Sequence, residues 1–314
     1  MSMRLGTAKW ADPDLIEEKY LYQDGSIWLG RSPSNNDLPI GYLDDRHVCL
    51  VSGTRGGKGT TSIINTLLLW PGSVVVIDPK GENASITARR RGSGTGLAPG
   101  LGQAVHVLDP FESAKVDESL RSRFNPLDAL DPDREGTIDE ASRIAAALVV
   151  PNPQSPDPFW DESARDMVKA LILHIVTAGE YEGRRNLITL RKLILAGDRN
   201  AFEALRQSGE ENIPSARELL WLGVGATPAF EGLIADLGAS FSEMLHNSSR
   251  QFESVLQVAS RHTEFIDSPA MQRCLSGSDF ELSGLKTAKK GMSVYLCLPQ
   301  RYMSTHYRWL RMMI

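Results

Sequence analysis

The sequence predicts an α/β fold: a sheet core that carries a phosphate-binding loop, with an all-helical domain inserted into it. Three observations predict it. The run His47-Val48-Cys49-Leu50-Val51 reads as a buried strand and leads into Ser52-Gly53-Thr54-Arg55-Gly56-Gly57-Lys58-Gly59-Thr60-Thr61. Apolar Ile63, Ile64, Leu67 and Leu68 follow at helical spacing, and Ser73-Val74-Val75-Val76-Ile77 then reads as a second strand. From about position 136 to 265 the period turns helical and strands nearly vanish, until Gly291 to Pro299 returns as a buried strand.

Taken in order, residues 1–46 form a lead-in rich in turn residues, with a short strand at Ser26 to Gly30 and a loop from Arg31 to Pro39. Residues 47–135 are the first part of the α/β core. The loop helix spans about Thr60 to Leu69, and Ser85 to Arg91 predicts another helix. Ser93 to Gly102 is a glycine-rich, exposed loop. Ala104 to Leu108 is a third strand and ends at Asp109. Residues 136–265 are the all-α insertion. Its helices are Ile138 to Val149, then, after a proline-rich break over 151–158, Trp160 to Ala178, Leu187 to Leu195, Asn200 to Gln207, Ala216 to Leu222, Ala229 to Leu245 and Asn247 to Thr263. Residues 266–314 resume the core. Phe159-Trp160 predicts a hydrophobic staple or core anchor at the start of its helix.

Composition bounds the function. Hydrophobic residues at 41% and charged residues at 23% are ordinary for a globular chain. No stretch approaches the ~20 apolar residues of a membrane span. A net charge of -5 argues against sequence-independent DNA binding by the chain as a whole. The basic clusters Arg89-Arg90-Arg91 and Lys286, Lys289 and Lys290 read as solvated faces. Three scattered cysteines, Cys49, Cys274 and Cys297, read as buried and reduced. The six histidines form no constellation with cysteine or serine, which argues against nucleophilic or metal hydrolase chemistry.

The loop is where chemistry is expected. Glycines let several backbone N–H groups converge on one anion, a lysine adds a mobile charge, and the helix N-terminus adds a partial one. Gly53, Thr54, Arg55, Gly56, Gly57, Lys58, Gly59, Thr60 and Thr61 are therefore candidate nucleotide-binding residues. The pattern G-x-x-x-x-G-K-[ST] would place glycine at Ser52 and a hydroxyl at Gly59, so Thr60 or Thr61 is the candidate Mg2+ ligand. Open α/β sheets bind ligands at the C-terminal ends of their strands. Asp78 and Asp109 stand at such ends. Asp78 joins the nucleotide set, and Lys80 and Glu82 form a candidate switch beside it.

Several segments resemble the TraG/TraD family, the coupling-protein ATPases of type IV secretion and conjugation. They are Gly6 to Ala11, Pro39 to Tyr42 with Arg46 to Val48, the loop itself, Trp70 to Glu82 with its Asp78-Pro79-Lys80-Gly81-Glu82 segment, and Asp157 to Asp161. The resemblance implies a RecA-like P-loop NTPase core, ATP and Mg2+ as cofactors, and a homo-hexamer. It also implies membrane association at the cytoplasmic side of the bacterial inner membrane. Lys58 would contact the β and γ phosphates, with Gly56, Gly57 and Gly59 cradling them. DNA and/or protein substrate, a relaxase complex and secretion-channel components are the implied partners. The family's later apolar strand ending in Asp-Glu, and its membrane helices, have no counterpart here, so the chain is expected to be truncated at both ends. ATP-driven substrate translocation is the leading expectation. A nucleotide-binding docking module without hydrolysis is the alternative, and a small-molecule P-loop kinase a third.

Overall fold

The computed structural model describes residues 11–151 and 158–314. Most of the Gly6 to Ala11 motif and residues 152–157, including Asp157, lie outside the described residues. In chain order the first elements are α1 (Pro13–Tyr20), β1 (Ile27–Arg31), β2 (Pro39–Tyr42), α2 (Ile64–Leu69), β3 (Val74–Ile77), α3 (Glu82–Arg91) and β4 (Ala104–Leu108). Then come α4 (Thr137–Leu148), α5 (Phe159–Thr177), α6 (Leu187–Ala196), α7 (Arg199–Ser208), α8 (Ala216–Gly225), α9 (Leu233–Asn247) and α10 (Ser249–Thr263). The chain finishes with α11 (Pro269–Leu275), α12 (Gly284–Thr287), β5 (Met292–Leu296) and α13 (Gln300–Met313).

These elements pack as two units. One comprises residues 1–107, 114–121 and 282–296, and the other 108–113, 122–281 and 297–314. The helical unit therefore takes in residues flanking 136–265 on both sides, and the last helix as well.

In the first unit β3, β5 and β4 form a three-stranded sheet in that order, with β3 parallel to β5 from Val74↔Ser293 to Ile77↔Leu296. Every residue of β5 is buried, as the central strand of a parallel sheet requires. β3 buries less: Val75 and Ile77 on one of its faces are each 48% exposed. β1 and β2 form a separate antiparallel pair, with a register shift between Trp28 and Gly30.

The predicted strand at 47–51 is not formed. These residues make no ladder, and Val51 is 89% exposed. A strand is held by N–H and C=O groups on a neighbour, and none of the described residues supplies that neighbour, so an apolar run alone does not make one. Cys49 is consequently exposed, not buried, whereas Cys274 and Cys297 are buried as expected.

The second unit is built on α5. Ten of its residues are buried, from Ala164 to Val176, and it packs against α4, α6, α8, α9 and α10. An aromatic group at its heart pairs Trp221 with Phe241 (4.7 Å between centroids) and with Phe252 (6.2 Å). Helices α8 and α9 meet through glycine: a Cβ on Gly238 would sit 2.4 Å from the backbone N of Gly225. The helix expected from Ala229 begins only at Leu233, because Phe230, Glu231 and Gly232 all take positive φ and break the helical path. Phe159 is 40% exposed and meets Trp160 edge-on at 5.0 Å, so it is a half-covered staple more than a core anchor.

Candidate nucleotide-binding loop

Residues 52–58 turn sharply into a helix. Gly56 N–H donates to Gly53 O (3.1 Å), Arg55 takes φ 62° and Gly57 φ 78°. Two left-handed residues this close fold the chain back on itself. Gly57 takes that conformation freely, while Arg55 holds it at a steric cost. At Gly56 any Cβ would lie 2.0 Å from Ser52 Oγ and 3.0 Å from Gly53 O, so a side chain there requires Ser52 to move and the Gly53 carbonyl to give way. Ser52, which stands where the usual pattern has glycine, thus fills the inside of the curl.

The first helical turn, Gly59–Ile63, is wound as a π-helix and continues into α2. The widened turn is held by side chains. Thr60 Oγ1 and Thr61 Oγ1 donate to Gly57 O at 3.2 and 2.7 Å, and Asn65 Nδ2 donates to Thr60 O (3.2 Å) and Thr61 O (2.9 Å). Each hydroxyl has one hydrogen and two lone pairs, so with the hydrogen committed to Gly57 both oxygens keep acceptor capacity suited to a hard cation. A Cβ on Gly59 would meet nothing within 4 Å. Lys58 Nζ donates to Ser52 O (2.6 Å) and Gly53 O (3.0 Å), which places the ammonium across the mouth of the curl. Gly53, Thr54, Arg55, Gly56, Thr60 and Thr61 are exposed, and Gly57, Lys58 and Gly59 half-buried. A cradle that excludes a Cβ, a lysine and two free-faced hydroxyls fits a phosphate with its magnesium.

The Asp78 segment is built differently. Asp78 is buried, and its Oδ2 accepts Ala84 N–H at 2.8 Å while its Oδ1 accepts from Asn83 Nδ2 at 3.4 Å. It therefore caps α3, whose formal N-cap is Gly81 in the left-handed region. Burial pushes its carboxyl above the usual range, against the lowering effect of the Ala84 and Asn83 backbone N–H groups. Lys80 and Glu82 are solvated and stand 3.9 Å apart, a pairing worth little by itself. Asp109 serves its own turn, accepting from Ser113 N (2.9 Å) and Ser113 Oγ (2.8 Å).

Sequence reasoning misplaced one residue of the basic cluster. Arg89 and Arg90 reach outward, but Arg91 is fully buried. Nothing in an Arg-Arg-Arg run distinguishes its third member. The signal is helical phase alone, which sets Arg91 on the face of Ala84, Thr87 and Ala88.

Among the described residues no helix is long and apolar enough to cross a membrane. The family model described as Type IV secretory system Conjugative DNA transfer matches residues 8–314. Conjugal transfer protein TraG of Escherichia coli is 24% identical over 311 residues, 93% of this chain and 45% of the relative. Protein VirD4 of Agrobacterium fabrum is 32% identical over 190 residues, 55% of this chain and 25% of the relative. The chain thus spans less than half the length of the curated relatives it matches. Among solved structures, the bacterial conjugative coupling protein TrwBdeltaN70 in its unbound monoclinic form aligns with a TM-score of 0.48 at 13% identity, covering 82% of this chain and 47% of that one. Plasmid coupling protein TrwB in complex with ADP and Mg2+ aligns with a TM-score of 0.43 at 12% identity, covering 77% and 43%. On the family match, which takes in nearly the whole sequence, this chain belongs to the type IV secretory system conjugative DNA transfer family.

Proposed function

We propose that this chain carries the nucleotide-binding machinery of a coupling protein. In this reading ATP with Mg2+ drives the recruitment and movement of DNA and/or protein substrate through a type IV secretion or conjugation system. The observation that carries it is the curl at 52–58, closed by Lys58 and running directly into a helix. Lys58 would bind the β and γ phosphates, and the backbone of Gly53 to Gly59 would cradle them, with Thr54 and Arg55 at the rim. Thr60 or Thr61 would hold the magnesium, which supplies charge neutralisation on the phosphates. Asp78 would act through the turn it organises, placing Lys80 and Glu82 where a bound nucleotide can bias them. Assembly as a hexamer at the cytoplasmic side of the inner membrane, beside a relaxase complex and channel components, belongs to the same reading.

Titration of the chain with a fluorescent ATP analogue and Mg2+ tests it, alongside phosphate release with and without DNA. Saturable binding lost in Lys58→Ala supports the assignment. Binding without turnover shifts the chain to the docking-module role. No binding by the wild type overturns the assignment.

A further inference from the structure

The loop has little to hold it from its N-terminal side. Residues 47–53 pair with no strand among the described residues, and they are exposed. Along α2 only Leu67 is buried, and a single hydrogen bond, Trp28 N–H to Thr66 Oγ1 at 3.1 Å, ties the middle of the helix to β1. Helix α2 packs along α3, and its densest hydrogen bonding lies at its far end, where one side chain gathers it.

Arg91, the last residue of α3, has no exposed surface. Its Nη1 donates to Leu67 O (2.6 Å) and Trp70 O (3.1 Å), the closing carbonyls of α2. Its Nη2 donates to Gly72 O (2.7 Å), ahead of β3, and to Gln103 Oε1 (2.9 Å), ahead of β4. Its Nε donates to Ser293 Oγ (2.6 Å) on β5. A guanidinium has five N–H donors, and here each has an acceptor. Ser293 Oγ in turn donates to Gln103 Oε1 (2.6 Å), and Gln103 Nε2 donates to Pro71 O (2.9 Å) and Gly72 O (3.1 Å), which closes the network. All five acceptors of the guanidinium are neutral. Its charge is met by the negative end of α2 and not by a carboxylate. Burial lowers its pKa from the ordinary value, the expected sign for a cation held by dipoles alone.

We propose that Arg91 is a positioning residue for the nucleotide loop, fixing from the C-terminal end of α2 where Lys58 and the glycine curl stand against the sheet. The inference rests on the nucleotide reading of that loop. The helical path from Lys58 to Leu67 is roughly 14 Å at 1.5 Å per residue. A tilt of about 10° at the anchor displaces the loop by about 2 Å, and misplacement of about 1 Å costs on the order of 100-fold in a positioned reaction. Lysine cannot replace the fork: it has three donors at one point, where five acceptors lie around a plane.

The test compares wild type, Arg91→Lys and the gentler Ser293→Ala, which removes the Nε acceptor and the hydroxyl donor to Gln103 but leaves the Nη contacts to Leu67, Trp70 and Gly72, in the whole chain. Two quantities are read: hydrogen exchange at the amides of 59–69, and affinity for a fluorescent ATP analogue with Mg2+. Arg91→Lys is expected to lose protection selectively in 59–69, with β5 and α5 unchanged, and to weaken nucleotide binding about tenfold. Ser293→Ala is expected to show the same pattern at two- to threefold. Unchanged protection in 59–69, or an equal loss in α5 and β5, overturns the proposal. Lys58→Ala separates the two readings, because it removes nucleotide contact while leaving α2 protected. If the wild type binds no nucleotide, the nucleotide reading fails, and with it the positioning role, whatever the exchange pattern says of the anchor.

Discussion

Lys58 points its ammonium back at the carbonyl of Ser52, 2.6 Å away and six residues earlier in the chain. The lysine closes its own loop at the surface, where an intramolecular hydrogen bond adds little to stability. Lys58→Ala is therefore expected to leave the unfolding midpoint within experimental scatter, about 0.5 kcal/mol. Affinity for an ATP analogue should fall at least tenfold, about 1.4 kcal/mol for the lost charge-assisted contacts. Denaturant unfolding and nucleotide titration of the same preparation check both halves.

Gly56 is the least replaceable glycine of the curl. Alanine there meets Ser52 Oγ at 2.0 Å and Gly53 O at 3.0 Å, one a removable side-chain atom and the other backbone. Gly56→Ala should abolish nucleotide binding. Adding Ser52→Gly removes the worse contact and should restore binding in part. Gly59→Ser is expected to be tolerated, because its side chain enters open space. Isothermal titration of the three variants distinguishes these outcomes, and tight binding by Gly56→Ala alone would show that the curl opens freely.

Two buried histidines of the helical unit make stability pH-dependent. Burial holds His174 and His262 down at about 4. Thr227 Oγ1 donates to Gly223 O, so it accepts from His174 Nδ1–H at 2.8 Å. Arg308 Nε–H donates to His262 Nδ1 at 3.1 Å, which leaves the proton on Nε2, 3.7 Å from Asp161. Both rings are thus neutral in the fold, and the unfolded chain binds more protons between about pH 6.5 and pH 4. Their contribution is complete above the unfolded value and is lost as pH falls through that window, on the order of 2–3 kcal/mol each. Melting temperature should stay level from pH 8 to 7 and drop steadily from 6.5 to 5. His174→Gln should flatten that slope, and a slope unchanged in the variant counts against the assignment.

Arg191 anchors α6 from the inside. It grips Asp267 through Nε–Oδ1 (2.9 Å) and Nη2–Oδ2 (2.5 Å), and its Nη1 donates to Ser260 O (2.6 Å), Ser260 Oγ (3.1 Å) and Thr263 Oγ1 (3.1 Å). Arg191→Met strands these acceptors and is expected to cost about 2–3 kcal/mol. Asp267→Asn keeps one acceptor at a half-exposed position and should cost about 1 kcal/mol. Urea midpoints order the two variants, and equal losses would mean that the carboxylate alone carries the contact.

How much of this was legible depended on the range of the interaction. Helices with long apolar stripes, such as α5 and α10, read directly, and so did β5, because burial on both faces leaves a largely apolar run that extends to Leu298. The sharp turn at 52–58 and the helix after it were legible from the glycines, the lysine and the apolar helical spacing that follows. The failures concern partners distant in sequence. Residues 47–51 have the composition of a strand but no neighbour to pair with among the described residues. Arg91 finds acceptors at Leu67, Gln103 and Ser293, which no local window contains. Phe230 and Glu231 delay the start of a helical pattern by backbone conformation, which residue type alone does not signal. The Asp78 segment stood out as a motif, yet its capping of α3 is visible only in the geometry.

The half-covered strand β3 has a practical consequence. Among the described residues its outer side pairs with nothing, and Val75 and Ile77 face solvent close in sequence to the bare run at Val48, Leu50 and Val51. An open apolar edge is a template for another chain's backbone. Concentrated solutions of this protein should therefore be colloidally unstable, and light scattering should rise with protein concentration before any loss of helical signal. Val75→Lys, at a position that pairs with Val294 of β5 through backbone while its side chain is half exposed, is the substitution best placed to keep the material dispersed.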